Sequence, residues 1–237
     1  NRVHLIGDTE ALFEAFVQVM ATAIDERSPY TGGHIRRVAE MTMVVAQAVN
    51  DCAEGPLANV YFDRAEMEEL RIAAWMHDIG KITTPEWIVD KPTKLTTIYD
   101  RIETLRLRFA LMQQQIQRLQ ELGQIDSEEA RQRLEKLASD LAFLERANLP
   151  GEYMEDADVE RLRDIAQQTY ELQGQAHPCI TDEELTNLVI RKGSLTEAER
   201  KKINDHASMS IKMLEQIPFT RKLRRVPEIA GAHHEKL

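Results

Sequence analysis

Seven apolar residues, Ile98, Ile102, Leu105, Phe109, Met112, Ile116 and Leu119, follow one another at spacings of 4-3-4-3-4-3. A second series, Ala130, Leu134, Leu137, Leu141 and Leu144, repeats 4-3-4-3. This period suits an α-helix and not a strand, whose inward positions recur every second residue. Gly123 and an Asp126/Glu129 pair of the N-capping type lie between the two series. The stretch therefore predicts an antiparallel helical hairpin with an a/d seam. The seam either only packs the two helices together or also binds a second subunit or transmits a signal.

Helical spacing dominates the rest of the chain as well. Asp8 to Asp25 predicts a first helix with Leu12, Phe16, Met20 and Ala23 on one stripe. A break at Ser28 to Gly33 precedes a second helix over about 34–50, and a third runs from Ala65 to Asp78 and stops at Gly80. After the hairpin, a helix over about 156–172 is expected to cover it, and Thr181 with Glu184 forms a further capping box. The expected fold is all-α: a helical bundle carrying an inserted helical hairpin and one more helix. One internal echo supports the insertion. Lys91-Pro92-Thr93-Lys94-Leu95-Thr96 resembles Lys192-Gly193-Ser194-Leu195-Thr196. Both are expected to open a helix, and only the second leads to a histidine, His206. The reading is a core over 1–98 and 187–237 with an insertion over 99–186.

Charge narrows the function classes. Thirty basic residues against forty acidic ones give a net charge of −10. A duplex nucleic-acid binder usually presents a basic face, so that role is disfavoured. An anionic small molecule stays open, because a few local cations or metal ions override the global field. The longest nearly apolar stretch, Met41 to Val49, is far shorter than the ~20 residues that span a bilayer. Cys52 and Cys179 form no C-x-x-C pair and read as reduced thiols, so a cytoplasmic location is expected. Asn1 and Leu237 read as the ends of a piece of a longer protein.

The histidines carry the chemistry. His34 follows a Gly-Gly break, His77-Asp78 closes an apolar helix, His206 lies one turn after Lys202, and His233-His234-Glu235 ends another helix. Imidazole and carboxylate without sulfur suit iron, manganese, zinc or nickel. A helix places neighbouring His and Asp about 100° apart, so the Asp carboxylate can bridge to a second ion while the His holds the first. Alanines beside His77 let neighbouring helices approach closely. In His-Asp-Ile-Gly-Lys, Gly80 is expected to permit a turn that swings Lys81 back toward the same place. His4 and His177 fit no motif. Arg221-Lys222-Leu223-Arg224-Arg225 reads first as a solvated face, and otherwise as a local attraction for a dianion.

Taken together, Tyr30-Thr31-Gly32-Gly33-His34-Ile35-Arg36-Arg37-Val38, His77-Asp78-Ile79-Gly80-Lys81-Ile82, the two echoing strings, His206 and His233-His234-Glu235 resemble the HD-GYP family. This is a branch of the HD-domain metal-dependent phosphohydrolases whose known members hydrolyse cyclic di-GMP. The resemblance covers roughly 10–98 and 187–237. It implies two divalent transition-metal ions, iron or manganese first and nickel or zinc next. His34, His77 and Asp78 would hold one, and Asp78 would bridge to a second held by His206, His233 and His234. Lys81 would contact the scissile phosphate, and Arg37 would orient phosphate or make a structural salt bridge. The implied reaction is hydrolysis of cyclic di-GMP to linear pGpG, GMP or both, with an upstream sensor or receiver domain and a homodimer through helical segments as expected partners. The family's Gly-Tyr-Pro and a following Asp would lie beyond Leu237. Tyr30 stands where some members carry a Glu for a third metal, so two metals are expected. The alternatives are an inactive nucleotide- or protein-binding module of the same fold, and a phosphohydrolase acting on a mixed cyclic dinucleotide.

Overall fold

The computed structural model describes residues 2–26, 33–151 and 153–236. They fall into two compact units, Asn1–Asp90 with Lys201–Leu237, and Lys91–Arg200. The division lies at Lys91 and Arg200, wider than the 99–186 limits expected from the sequence. Among the described residues, no helix is long and apolar enough to cross a membrane.

The first unit is helical. Its elements are α1 (Arg2–Asp25), α2 (His34–Asn50), α3 (Arg64–Met76), a 3₁₀ turn at Ile79–Thr83 and the short α4 (Glu86–Val89). α3 starts at Asp63, whose carboxylate accepts from the amides of Ala65 and Glu66 while Glu66 accepts from the Asp63 amide. This reciprocal cap satisfies donors that the first turn leaves free. The opposite end of α3 turns Ile72, Ala73, Ala74 and Met76 inward. Ile72, Ala73 and Met76 pack with Val17, Ala21 and Ile24 of α1 and Ile35 of α2 in one core. The two alanines leave room for close approach, and α3 is the element against which α1 and α2 both pack.

The second unit holds α5 (Ile102–Glu121), α6 (Ser127–Asn148), α7 (Asp156–Ala166), α8 (Asp182–Leu188) and a two-stranded sheet. α5 and α6 form the expected hairpin, with Asp126 capping α6 through the Glu129 amide. Its seam is internal: Leu105, Phe109, Leu137 and Leu144 are buried and Met112, Ile116 and Leu141 pack against them. Ile98, the first member of the series, is 96% exposed and precedes the helix.

Two sequence expectations are corrected here. The helix expected to reach Leu172 ends at Ala166, and an antiparallel hairpin follows, β1 (Thr169–Leu172) and β2 (Gln175–Pro178). Its two turn residues, Gln173 and Gly174, both have positive φ, 54° and 76°. That is the turn whose twist matches paired strands, and Gly174 adopts it without a Cβ clash. The second correction concerns Lys91 to Thr96, which does not open a helix. Thr93 and Thr96 share a 2.7 Å hydroxyl bond, Thr93 reaches Asp100, and the Leu95 amide is held by Asn148. The echoing strings meet instead, the Ser194 hydroxyl donating to the Lys91 carbonyl at 2.8 Å. Thr196 does cap the helix that follows it, α9 (Glu197–Asn204). The chain then returns to the first unit through α10 (His206–Leu214), α11 (Val226–Gly231) and a 3₁₀ turn at Ala232–His234.

Candidate metal centre

Three of the site histidines stand at helix ends for a shared reason. The last carbonyls of a helix have no intrahelical partner. His77 follows α3 and places its Nδ1 2.7 Å from the Ala74 carbonyl. His233 follows α11 and does the same with Ala230 at 2.7 Å. His206, after α9, uses the Ile203 carbonyl. In each case the partner is three residues back, so the ring is held by its own chain. A carbonyl accepts only, so Nδ1 carries a proton, and whenever the ring is neutral Nε2 keeps its lone pair.

Those free nitrogens converge. His206 Nε2 lies 3.0 Å from His233 Nε2 and 3.3 Å from His234 Nε2. The rings of His233 and His234 are 4.2 Å apart, and those of His77 and His233 are 5.0 Å apart. His34, at the start of α2, brings its ring to 6.1 Å from His77. Ligand atoms gather in two sets, His34 with His77 and Asp78, and His206 with His233 and His234, all within 4.8 Å inside each set. Asp78 joins them, because its two oxygens face different ways. Oδ2 is 3.1 Å from His77 Nε2 and 2.7 Å from Lys81 Nζ. Oδ1 is 3.2 Å from His206 Nε2 and 3.8 Å from His233 Nε2.

Electrostatics agree with this placement. Asp78 is buried, which alone would raise its carboxyl, but the rings of His206 and His77 and the Lys81 ammonium hold it well below the usual carboxylate range. Burial pushes His233 down to about 4, and burial together with the neighbouring His206 pushes His234 down as well. For His77 burial works in the same direction, but the bond and charge of Asp78 outweigh it and the ring is shifted up. Neutral rings such as His233 and His234 are in the state that metal ligation requires.

The turn between His77 and Lys81 depends on Gly80 for a different reason than the one expected. Its φ is not positive. A Cβ there would run into the His206 carbonyl oxygen and stand 2.7 Å from the Ser210 amide. Gly80 is therefore a point of contact between the 3₁₀ turn and α10. Ser210, fully buried, fastens that contact: it accepts from the Gly80 amide at 2.9 Å and donates to the His77 carbonyl at 2.8 Å. Sequence reasoning missed Ser210. Its signal was present, since it stands one turn after His206 on the same helical face. Glu69 was missed too; its buried carboxylate accepts from the Arg225 amide at 2.7 Å at the start of α11.

Arg37 lies one turn into α2, exposed, with its guanidinium beside Gly33. Tyr30, where a third-metal Glu was sought, lies outside the described residues. Trp75, two residues before His77, is partly buried against the core of this unit.

A polar nest of this kind, hung on helix ends around a His-Asp step, is a candidate metal site of the HD type. The chain belongs to the HD domain family: one HD domain model matches residues 31–160 and a second matches 180–237. Among curated proteins it is similar to 3'3'-cGAMP-specific phosphodiesterase 3 of Vibrio cholerae serotype O1, 38% identical over 96 residues, 40% of this chain and 18% of the relative. A probable cyclic di-GMP phosphodiesterase of the same organism is 31% identical over 106 residues, 42% of this chain and 22% of the relative. The chain thus spans about a fifth of the length of these curated relatives. No solved structure matches it significantly.

Proposed function

We propose that this chain carries the metal-dependent phosphodiesterase centre of a cyclic dinucleotide hydrolase, with cyclic di-GMP as substrate. One observation carries the reading: Asp78 stands between two imidazole sets and turns one oxygen toward each. The donor set fits a pair of cations. Two imidazole nitrogens that both keep lone pairs, 3.0 Å apart where the buried His206 meets the more exposed His233, repel unless a positive species lies between them. His34, His77 and Asp78 would hold one ion, and Asp78, His206, His233 and His234 the other, with nitrogen and oxygen ligands that suit iron or manganese. Such a pair supplies a nucleophile at neutral pH and a Lewis acid for phosphoryl oxygens.

The remaining work falls to the chain itself. Asp78 orients His77 and the second set at once. Lys81, tied to Asp78, brings a cation to the edge of the cluster, where it offsets charge developing on a phosphate. Arg37 adds a second, exposed cation one turn from His34. Water adds at one phosphorus, one P–O ester bond breaks, and the ring opens to the linear dinucleotide. A second reading takes a mixed cyclic dinucleotide as substrate, and the name of the first relative favours it.

The two are separated by incubating protein loaded with Fe²⁺ or Mn²⁺ with cyclic di-GMP and with 3'3'-cGAMP in parallel, and resolving the products by chromatography. Linear pGpG or GMP from the first, absent in His206→Ala, is the expected result. Turnover of neither substrate by protein with a full metal complement would overturn the proposal.

A further inference from the structure

Helix α1 has two apolar stripes. One, with Phe13, Val17, Met20, Ala21 and Ile24, belongs to the core of its unit. The other, Leu12, Phe16 and Val19, is 72%, 55% and 65% exposed and continues at the same 4-3-4 spacing to exposed Ala23. The exposed positions beside it, Ala11, Ala15, Gln18 and Thr22, are all uncharged. Glu14 lies elsewhere, paired with Arg71 at 2.6 Å. The neighbouring α2 repeats the pattern with Met41, Val44 and Val45, 66%, 70% and 61% exposed, and no charge from Met41 to Asn50. A helix that is apolar on both sides is normally covered on both.

We propose that a second copy of this chain covers this face, the two α1 helices meeting about a two-fold axis near Phe16. Three observations select that occupant. The 4-3-4 spacing is that of a seam between paired helices. A two-fold contact sets a surface against itself, so any charge on it meets its own sign. In a chain of net charge −10 most faces fail that condition; the central part of this one, between exposed Asp8 and Glu26 at its two ends, carries no charge and meets it. A stable interface buries at least about 1,200 Å² in total, and the six large apolar side chains that α1 and α2 expose, each more than half accessible, are of the kind that supplies it.

Sedimentation equilibrium of the full chain at about 1 to 100 µM tests this. A dimer is expected, and Leu12→Glu with Phe16→Glu is expected to raise its dissociation constant by about a hundredfold or more. Circular dichroism checks that this variant keeps its fold. Leu107→Glu, at an equally exposed leucine of α5, leaves the dimer intact. Independently of folding in the charged variant, Phe16→Cys in a Cys52→Ser background forms an inter-chain disulfide on mild oxidation. A monomer across the whole range, a dimer indifferent to the α1 changes, or one dissolved by Leu107→Glu overturns the proposal.

Discussion

Both units bury charged and polar groups, but they partner them differently. In the second unit opposites meet. Lys91, its side chain 1% exposed, sits between Asn187 and Glu199 at 2.8–2.9 Å. Arg108 is paired with buried Glu184 at 2.6 Å, and buried Asp140 takes bonds from Lys136 and Gln168. In the first unit like meets like, with the nitrogens of His206, His233 and His234 facing one another around one carboxylate. Burying a charge is costly unless it is paired. A network in which every donor has its acceptor is complete as folded, whereas acceptors gathered on acceptors call for a cation from outside. On that contrast the histidine cluster of the first unit is the candidate for function, and the paired charges of the second unit are structural.

The contrast can be broken most sharply at Asp78. Asp78→Asn keeps the shape and removes the charge shared by both imidazole sets. Turnover of the cyclic dinucleotide is expected to fall by about 10³-fold, with bound metal lost in elemental analysis and the thermal melt little changed. Lys91→Met should do the reverse. It leaves the partly buried Glu199 and the buried Asn187 without their cation and is expected to cost about 3 kcal/mol in urea unfolding, while activity per folded molecule stays at the parent level. If Lys91→Met instead abolished turnover at full stability, the division between the two kinds of buried polarity would fail. Gly80→Ala comes next, because it tests the support rather than the ligands. Its Cβ must push the His206 backbone away, so a loss of about 2 kcal/mol accompanied by weaker metal retention is expected.

The helices were legible because their signals are local. The 4-3 series of α5 and α6, the Asp126 and Thr181 caps and the apolar face of α3 each lie within a few turns of chain. The candidate ligand residues could be picked out for a related reason, since histidines placed at helix ends stand out by type and position, and the structure brings them together. Ser210 was not, because its partners Gly80 and His77 are 130 and 133 residues away and a serine in a helix suggests nothing by itself. The β1–β2 hairpin escaped because four-residue strands are too short to show a period, leaving only the Gln173-Gly174 turn as a signal. Gly80 was noticed but given a conformational role, where the structure gives it a steric one; contact between distant backbones leaves no trace in sequence spacing.

Lys94 gives the smallest effect and the finest test of how complete the second unit is. It is buried, and among the described residues its ammonium bonds only to a carbonyl, that of Leu188 at 3.1 Å, with the charge of Asp158 as a weaker support. Burial therefore pushes its pKa down from 10.5 to about 8. Between those values the unfolded chain holds a proton that the folded chain has released. Stability rises with pH wherever the unfolded state binds more protons, so this lysine makes the fold relatively more stable as pH climbs from about 8 to about 10.5. Other groups titrate in the same window, so the quantity to measure is a difference. Urea midpoints of the parent and Lys94→Met, taken from pH 7.5 to 10.5, should draw together as the pH rises if the variant starts the more stable, because the parent alone recovers the cost of a buried cation. A constant gap would mean that Lys94 is as fully partnered as Lys91, and the second unit would then hold no buried charge short of an opposite.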